Sequence, residues 1–200
     1  GVQTCALPIS NIANTWAQVD PSSALAWAST IQESGERNNT ISSALSSWAN
    51  IAPQDAATYA ASLPAGATQS QAIQSVVSSL SSNDPAYAAA WVERFPAGEI
   101  RDLATQNLIS NWANNDAHGA AEWLAKLPEG EGRKIAISSF VSAITYQEPS
   151  MAFEWAKLLP ETHHIENAAR QWMQTDPIAA RAAIQQADLP PDLKANLLDR

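Results

Sequence analysis

One motif recurs six times at a nearly fixed interval, and this restricts the fold more than any other property of the chain. It reads Trp16-Ala-Gln-Val-Asp-Pro, Trp48-Ala-Asn-Ile-Ala-Pro, Leu80-Ser-Ser-Asn-Asp-Pro, Trp112-Ala-Asn-Asn-Asp-Ala, Ile144-Thr-Tyr-Gln-Glu-Pro and Trp172-Met-Gln-Thr-Asp-Pro. The starts at 16, 48, 80, 112, 144 and 172 are spaced by 32 four times and then by 28. Eleven residues after each start stand Trp27, Tyr59, Trp91, Trp123, Trp155 and Ala183. Fifteen after each of the first five stand Ile31, Leu63, Phe95, Leu127 and Leu159. A unit this short cannot enclose a core of its own, so each copy must bury its apolar face against its neighbours.

Each copy reads as two helices. The first opens on an acid followed by proline in Asp20-Pro21, Asp84-Pro85, Glu148-Pro149 and Asp176-Pro177, while Asp116-Ala117 keeps the acid alone. A carboxylate there accepts the orphan N–H groups of the first turn, and proline suits the first helical position. Ala24, Trp27, Ala28 and Ile31 follow at i, i+3, i+4 and i+7, and Ala88, Trp91, Val92 and Phe95 repeat the stripe, as do Ala120, Trp123, Leu124 and Leu127. One apolar face results. Leu63-Pro64, Phe95-Pro96, Leu127-Pro128 and Leu159-Pro160 stop the helix, and Gly66, Gly98 and Gly130 supply the turn. The second helix carries Ile41, Ala44, Leu45 and Trp48, then Ile73, Val76, Val77 and Leu80, then Ile137, Phe140, Val141 and Ile144.

No segment alternates like a strand, so the expectation is all-α, with helices of about 11 to 13 residues. Antiparallel pairs with short connections stack side by side, which predicts a right-handed α-solenoid of about five to six copies. Residues 10 to 16 read as the tail of a second helix, and the last copy has room for only a short one. An alanine at one phase of all six copies (Ala24, Ala56, Ala88, Ala120, Ala152, Ala180) predicts close helix approach there.

Residues 1–9 read as a translated sequencing adapter and are set aside, leaving 10–200 as a single repeat domain and a fragment of a longer array. Cys5, the one cysteine, lies in that segment, so disulfide, thiolate and Cys-ligated metal chemistry are not expected. The chain is 46% hydrophobic and 16% charged, too apolar for disorder. Its 20 Asp and Glu against 11 Lys and Arg give a net charge of -9, which opposes nucleic acid and anionic membrane as partners. No stretch reads as a membrane span.

The segment Asp20-Pro-Ser-Ser-Ala-Leu-Ala-Trp27 resembles the join between tetratricopeptide repeats, and the likeness recurs across residues 16–188. The period is 32 where that family has 34, and a Leu-Pro-x-Gly hairpin replaces the family's Gly and Tyr. The resemblance implies a superhelix whose groove binds peptides or protein segments. The composite pattern Trp-Ala-x-x-Asp-Pro-x-x-Ala-x-x-Trp-x-x-x-Leu-Pro-x-Gly-x-x-Arg also resembles repeat arrays of large bacterial proteins, which implies a periplasmic or secreted location.

The chemistry-bearing residues mostly fall on repeat phases. All eight tryptophans do, which favours packing over a stacking platform. The recurring acids are helix caps. Arg37, Arg101 and Arg133 share a phase and are expected to pair with Glu36, Glu99, Asp102 and Glu131, an anion ladder being the alternative. In Glu161-Thr-His163-His164-Ile-Glu166, only His163 and Glu166 have the i, i+3 spacing of helical zinc ligands, because adjacent histidines diverge by about 100° of helix. The other reading is a hydrogen-bonded structural His164. There is no Gly-x-Ser-x-Gly elbow, Gly-rich phosphate loop or dinucleotide fingerprint, so neither a catalytic site nor a cofactor is expected.

Binding residues should lie where the copies differ, off the apolar stripe. On first helices these are Tyr87, Arg94, Glu122, Lys126, Met151 and Glu154, which could equally be a solvated face with pairs such as Glu122 and Lys126. The sequence therefore predicts a non-catalytic scaffold for protein or peptide partners. Its rival is a helical accessory region of a larger enzyme, as a resemblance to helical-ring regions of bacterial cell-wall lyases implies.

Overall fold

A computed structural model describes residues 9–199 and is all-helical: thirteen helices and no strand among the described residues. The adapter-like residues lie outside the described part, apart from Ile9. The helices are α1 (Ile9–Ala17), α2 (Pro21–Ala28), α3 (Ser34–Ile51), α4 (Pro53–Ser62), α5 (Ala67–Asn83), α6 (Pro85–Val92), α7 (Glu99–Asn115), α8 (Ala117–Lys126), α9 (Glu131–Ile144), α10 (Pro149–Ala156), α11 (Thr162–Thr175), α12 (Pro177–Gln186) and α13 (Pro191–Leu198). They fall into two compact units, the first ending at Leu108 and the second beginning at Ile109 within α7.

The six motifs fold alike in backbone detail. Each cap residue, from Asp20 to Asp176, sits at φ between -129° and -148° and ψ between 62° and 85°. Its N–H donates to the carbonyl of the motif's first residue at 2.7–2.8 Å, so one helix ends there. Its carbonyl accepts from the recurrent alanine N–H at 2.9–3.1 Å, so the next begins. Asp20, Asp84, Asp116 and Asp176 also accept, through the side chain, from the backbone N–H three residues on, at 2.9–3.0 Å. Glu148 departs from the expected pattern and makes no side-chain cap bond. We expect Glu148→Asp to close the cap and stabilise the fold by about 0.5–1 kcal/mol, measurable as a raised urea midpoint. A midpoint unchanged or lowered would refute this.

The predicted equal helices are instead alternately short and long. First helices have 8 or 10 residues, and α3, α5, α7, α9 and α11 have 18, 17, 17, 14 and 14. α3, α5, α7 and α11 run on to the cap residue of the next motif, and α9 stops at Ile144, one turn before Glu148, whereas the first helices are cut short near the residue before a proline, which is forced out of the helical region. The turns after α4, α6 and α8 use Gly66, Gly98 and Gly130 at φ 150°, 146° and 152°, a backbone conformation that side chains disfavour.

In the unit ending at Leu108, α1, α3 and α5 pack side by side, and α2, α4 and α6 lie against them. Small side chains let the long helices approach closely: Thr40, Ser42, Ala44, Ser47 and Ala49 on α3 are all buried. Polar bonds cross between helices one copy apart, from Thr68 Oγ1 to Asn38 Oδ1 (2.6 Å), from Gln71 Nε2 to Asn39 Oδ1 (3.0 Å) and from Ser79 Oγ to Asn50 Oδ1. In the unit beginning at Ile109, bulkier groups take over the core. Phe140, Ile144, Phe153 and Ile184 are fully buried, and α10 packs chiefly on α9 and α11. The recurrent alanine is fully buried in all six copies.

Candidate functional site

The aromatic phases meet in pairs. Trp16 lies on Trp27 (6.1 Å between ring centres), Trp48 on Tyr59 (5.9 Å) and Trp112 on Trp123 (6.1 Å), each pair eleven residues apart across a motif. Where one partner is aliphatic, the ring turns to another neighbour: Trp91 to Phe95 (5.0 Å), Trp155 to Phe140 (5.4 Å) and Trp172 to Phe153 (5.8 Å). The tryptophans are thus packed, but the expected enclosure holds for Trp91 and Trp112 alone, and Trp16 is exposed. The other five are half-buried.

Of the six predicted binding positions, Tyr87 on α6 and Arg94 in the turn after it belong to the first unit. Tyr87 is half-buried and Arg94 exposed. In the second unit, Glu122 and Lys126 on α8 are exposed and are not joined by the predicted ion pair. Met151 on α10 is half-buried, while Glu154 is exposed and pairs with Lys157 Nζ, which also stands over the Phe153 ring. Within each helix these residues share a side by their spacing.

The arginine phase behaves differently from expectation. Arg37 Nη1 donates to the carbonyls of Ile31 (2.9 Å) and Gln32 (3.4 Å), closing the turn after α2. Glu33 caps α3 instead, accepting from the Gly35 and Glu36 N–H groups, and those bonds hold its carboxyl below the usual glutamate range. Glu131, the expected partner of Arg133, pairs with Lys134 at 3.3 Å, and Arg133 Nε is buried without a hydrogen bond.

His163 and His164 do not diverge as their helical spacing suggests. Both rings lean together in the first turn of α11, with centres 3.9 Å apart. His163 is exposed, whereas His164 is half-buried and shares a hydrogen bond between Nε2 and Ser138 Oγ on α9 (3.1 Å). Glu166 faces elsewhere, into a cleft of about 350 Å³ with Arg170, Met173, Pro177, Arg181 and Leu197. Among the described residues, no three His, Cys, Asp or Glu side chains gather where they could hold a metal.

Burial, and secondarily the charge of His163, lowers the pKa of His164, against a small opposing pull from Glu161. A folded pKa below the unfolded one means that, as pH falls below about 6.5, the unfolded chain takes up a proton that the folded chain resists. Melting temperature should therefore fall between pH 7.5 and 5.5, and His164→Gln should remove part of that fall. An identical pH dependence in the variant would refute the assignment. Asp20, whose lowered pKa comes first from Ser23, titrates in a more acidic window.

Sequence reasoning missed a second opening. Between α9 and α11 lies a cleft of about 290 Å³ bordered by Val141, Tyr146, His164, Asn167, Arg170 and Gln171. The signal was present as departures from repeat phase at Tyr146, His164 and Arg170. No helix among the described residues is long and apolar enough to cross a membrane. No protein-family model, curated protein or solved structure matches this chain.

Proposed function

We propose that the chain is a non-catalytic α-solenoid scaffold whose stacked, antiparallel helix pairs present their variable residues to a protein or peptide partner. The observation that carries this reading is the sixfold return of one backbone arrangement at the cap residue, with the same buried alanine, together with the bonds between residues 29 to 32 positions apart that join α3 to α5. Such a framework keeps its fixed phases for packing and leaves Tyr87, Arg94, Glu122, Lys126, Met151 and Glu154 free to vary. A linear array offers its partner a row of similar sites, which suits an extended chain better than a small substrate.

Two experiments test the two halves. Deleting residues 48–79, one whole period, should leave a cooperatively folding protein with a lower melting temperature, because an array loses one copy without losing register. A deletion product that is unfolded at 10 °C would count against the array. For binding, panning a random peptide library should enrich sequences whose affinity falls at least tenfold when Glu122, Lys126 and Glu154 are charge-reversed together. Failure to enrich any sequence, or no loss in the variant, would overturn the partner-binding reading.

A further inference from the structure

We propose that the cleft between α9 and α11 is a binding site for a small organic monocarboxylate, independent of the scaffold role. The first argument is convergence. At the phase of Tyr146 the other copies carry Gln18, Asn50, Ser82, Asn114 and Gln174; at that of His164, Thr40, Ala72, Ala104 and Ala136; at that of Arg170, Asn14, Ser46, Ser78, Ser110 and Ser142. These three departures come from the turn after α9 and from α11, yet all three border one cleft. They also fall in the copy that is four residues shorter than the rest, where 144 is followed by 172. Packing alone does not call for them, since smaller residues serve every other copy.

The second argument is charge. In a chain of net charge -9, no carboxylate lines this cleft, and Arg170, which also borders the neighbouring cleft that Glu166 lines, is its one fixed cation. Asn167, Arg170 and Gln171 stand at i, i+3 and i+4 on α11, so two amides flank the guanidinium on a single face. A guanidinium fork matches the two oxygens of a carboxylate, and the amide N–H groups can satisfy their remaining lone pairs. One positive charge balances a monoanion and leaves a phosphate dianion half-compensated.

The third argument is the opposite wall. Ser142 and Thr145 donate their hydroxyl protons back to the Ser138 and Val141 carbonyls within the α9 segment, so anion donors concentrate on the α11 side. Val141 and the ring of Tyr146 give the α9 side an apolar surface for an organic body. The volume, about 290 Å³, is at the lower limit of small-ligand pockets, which restricts the ligand to a small acid. Ser138 holds the His164 ring at the mouth, a positioning role.

The test is a calorimetric titration of the intact chain with benzoate, and with benzamide as a neutral probe of the same shape. Benzoate should bind at least tenfold more tightly than benzamide. Arg170→Ser, the residue that four other copies carry at this phase, should weaken benzoate at least tenfold, and Asn167→Ser severalfold, both with unchanged circular dichroism and melting temperature. Equal binding of the two probes, undiminished binding by Arg170→Ser, or no benzoate binding at millimolar concentration would each overturn the proposal. So would a short peptide that displaces benzoate only when its C-terminal carboxylate is free and binds far more tightly, because the ligand would then be a chain end.

Discussion

Replacing Ala88 with glutamate is expected to lower stability by more than about 3 kcal/mol. Ala88 is fully buried on α6, at the position where all six copies bring a first helix down onto its neighbours. Four added heavy atoms, three of them a carboxylate, find neither space nor a partner, so the cost combines overpacking with desolvation of a charge. Part of that cost is avoided if the side chain is protonated, which should make the variant relatively less defective at low pH. For a chain of this size the loss corresponds to a drop in melting temperature of roughly 10 °C. Ala86→Glu provides the control: Ala86 is exposed on the same helix, and its change should stay within about 0.5 kcal/mol. Circular-dichroism melts of the two variants decide the matter, and an Ala88→Glu melt coinciding with the parent's would refute the close-approach account.

Trp91→Ala should cost about 3–5 kcal/mol, the usual range for emptying a buried aromatic site. Trp91 is 5% exposed and stands edge-on to Phe95, so its removal opens a cavity that α6 cannot collapse into without losing the recurrent alanine contact. Trp16→Ala should cost under about 2 kcal/mol, because Trp16 is 38% exposed and its one described ring partner is Trp27. Urea unfolding of both variants tests the ranking. If the two costs are equal, or if Trp16 proves the costlier loss, then burial does not distinguish the tryptophans and the ring pairs must be worth more than their exposure indicates.

Those two expectations rest on different grounds. That Ala88 is intolerant could be read from the chain, since six alanines at one phase have few explanations besides contact. That Trp91 and Trp16 differ could not be read, since both satisfy the repeat equally well. The phase says which side of a helix is apolar; it does not say how completely a neighbour covers that side. The same limit explains the arginines. Their shared position suggested ion pairs with nearby acids, but Arg37 reaches the Ile31 and Gln32 carbonyls in the turn after α2, and a sequence pattern carries no mark for such a contact. It also explains His163 and His164, whose rings meet because side-chain torsions override the 100° that separates their Cα positions.

The candidate cleft divides along the same line. Tyr146, His164 and Arg170 were visible as departures from their repeat phases, and the four-residue contraction beside them was visible as a change of period. Their convergence was not, since residue 146 lies in the turn after α9 and residue 170 on α11, and a phase argument treats each element alone.

The all-helical class, the sixfold period, the aspartate caps, the glycine turns and the intolerant alanines follow from local rules, because hydrogen-bond capping, backbone sterics and 3.6-residue periodicity act within a few residues of one another. The alternation of long and short helices, the uneven burial of the tryptophans, the carbonyl bonds of Arg37 and the opening between α9 and α11 were decided only by the tertiary structure. Each depends on the volume and reach of side chains on two separate helices, and that sum exists only once the helices are packed.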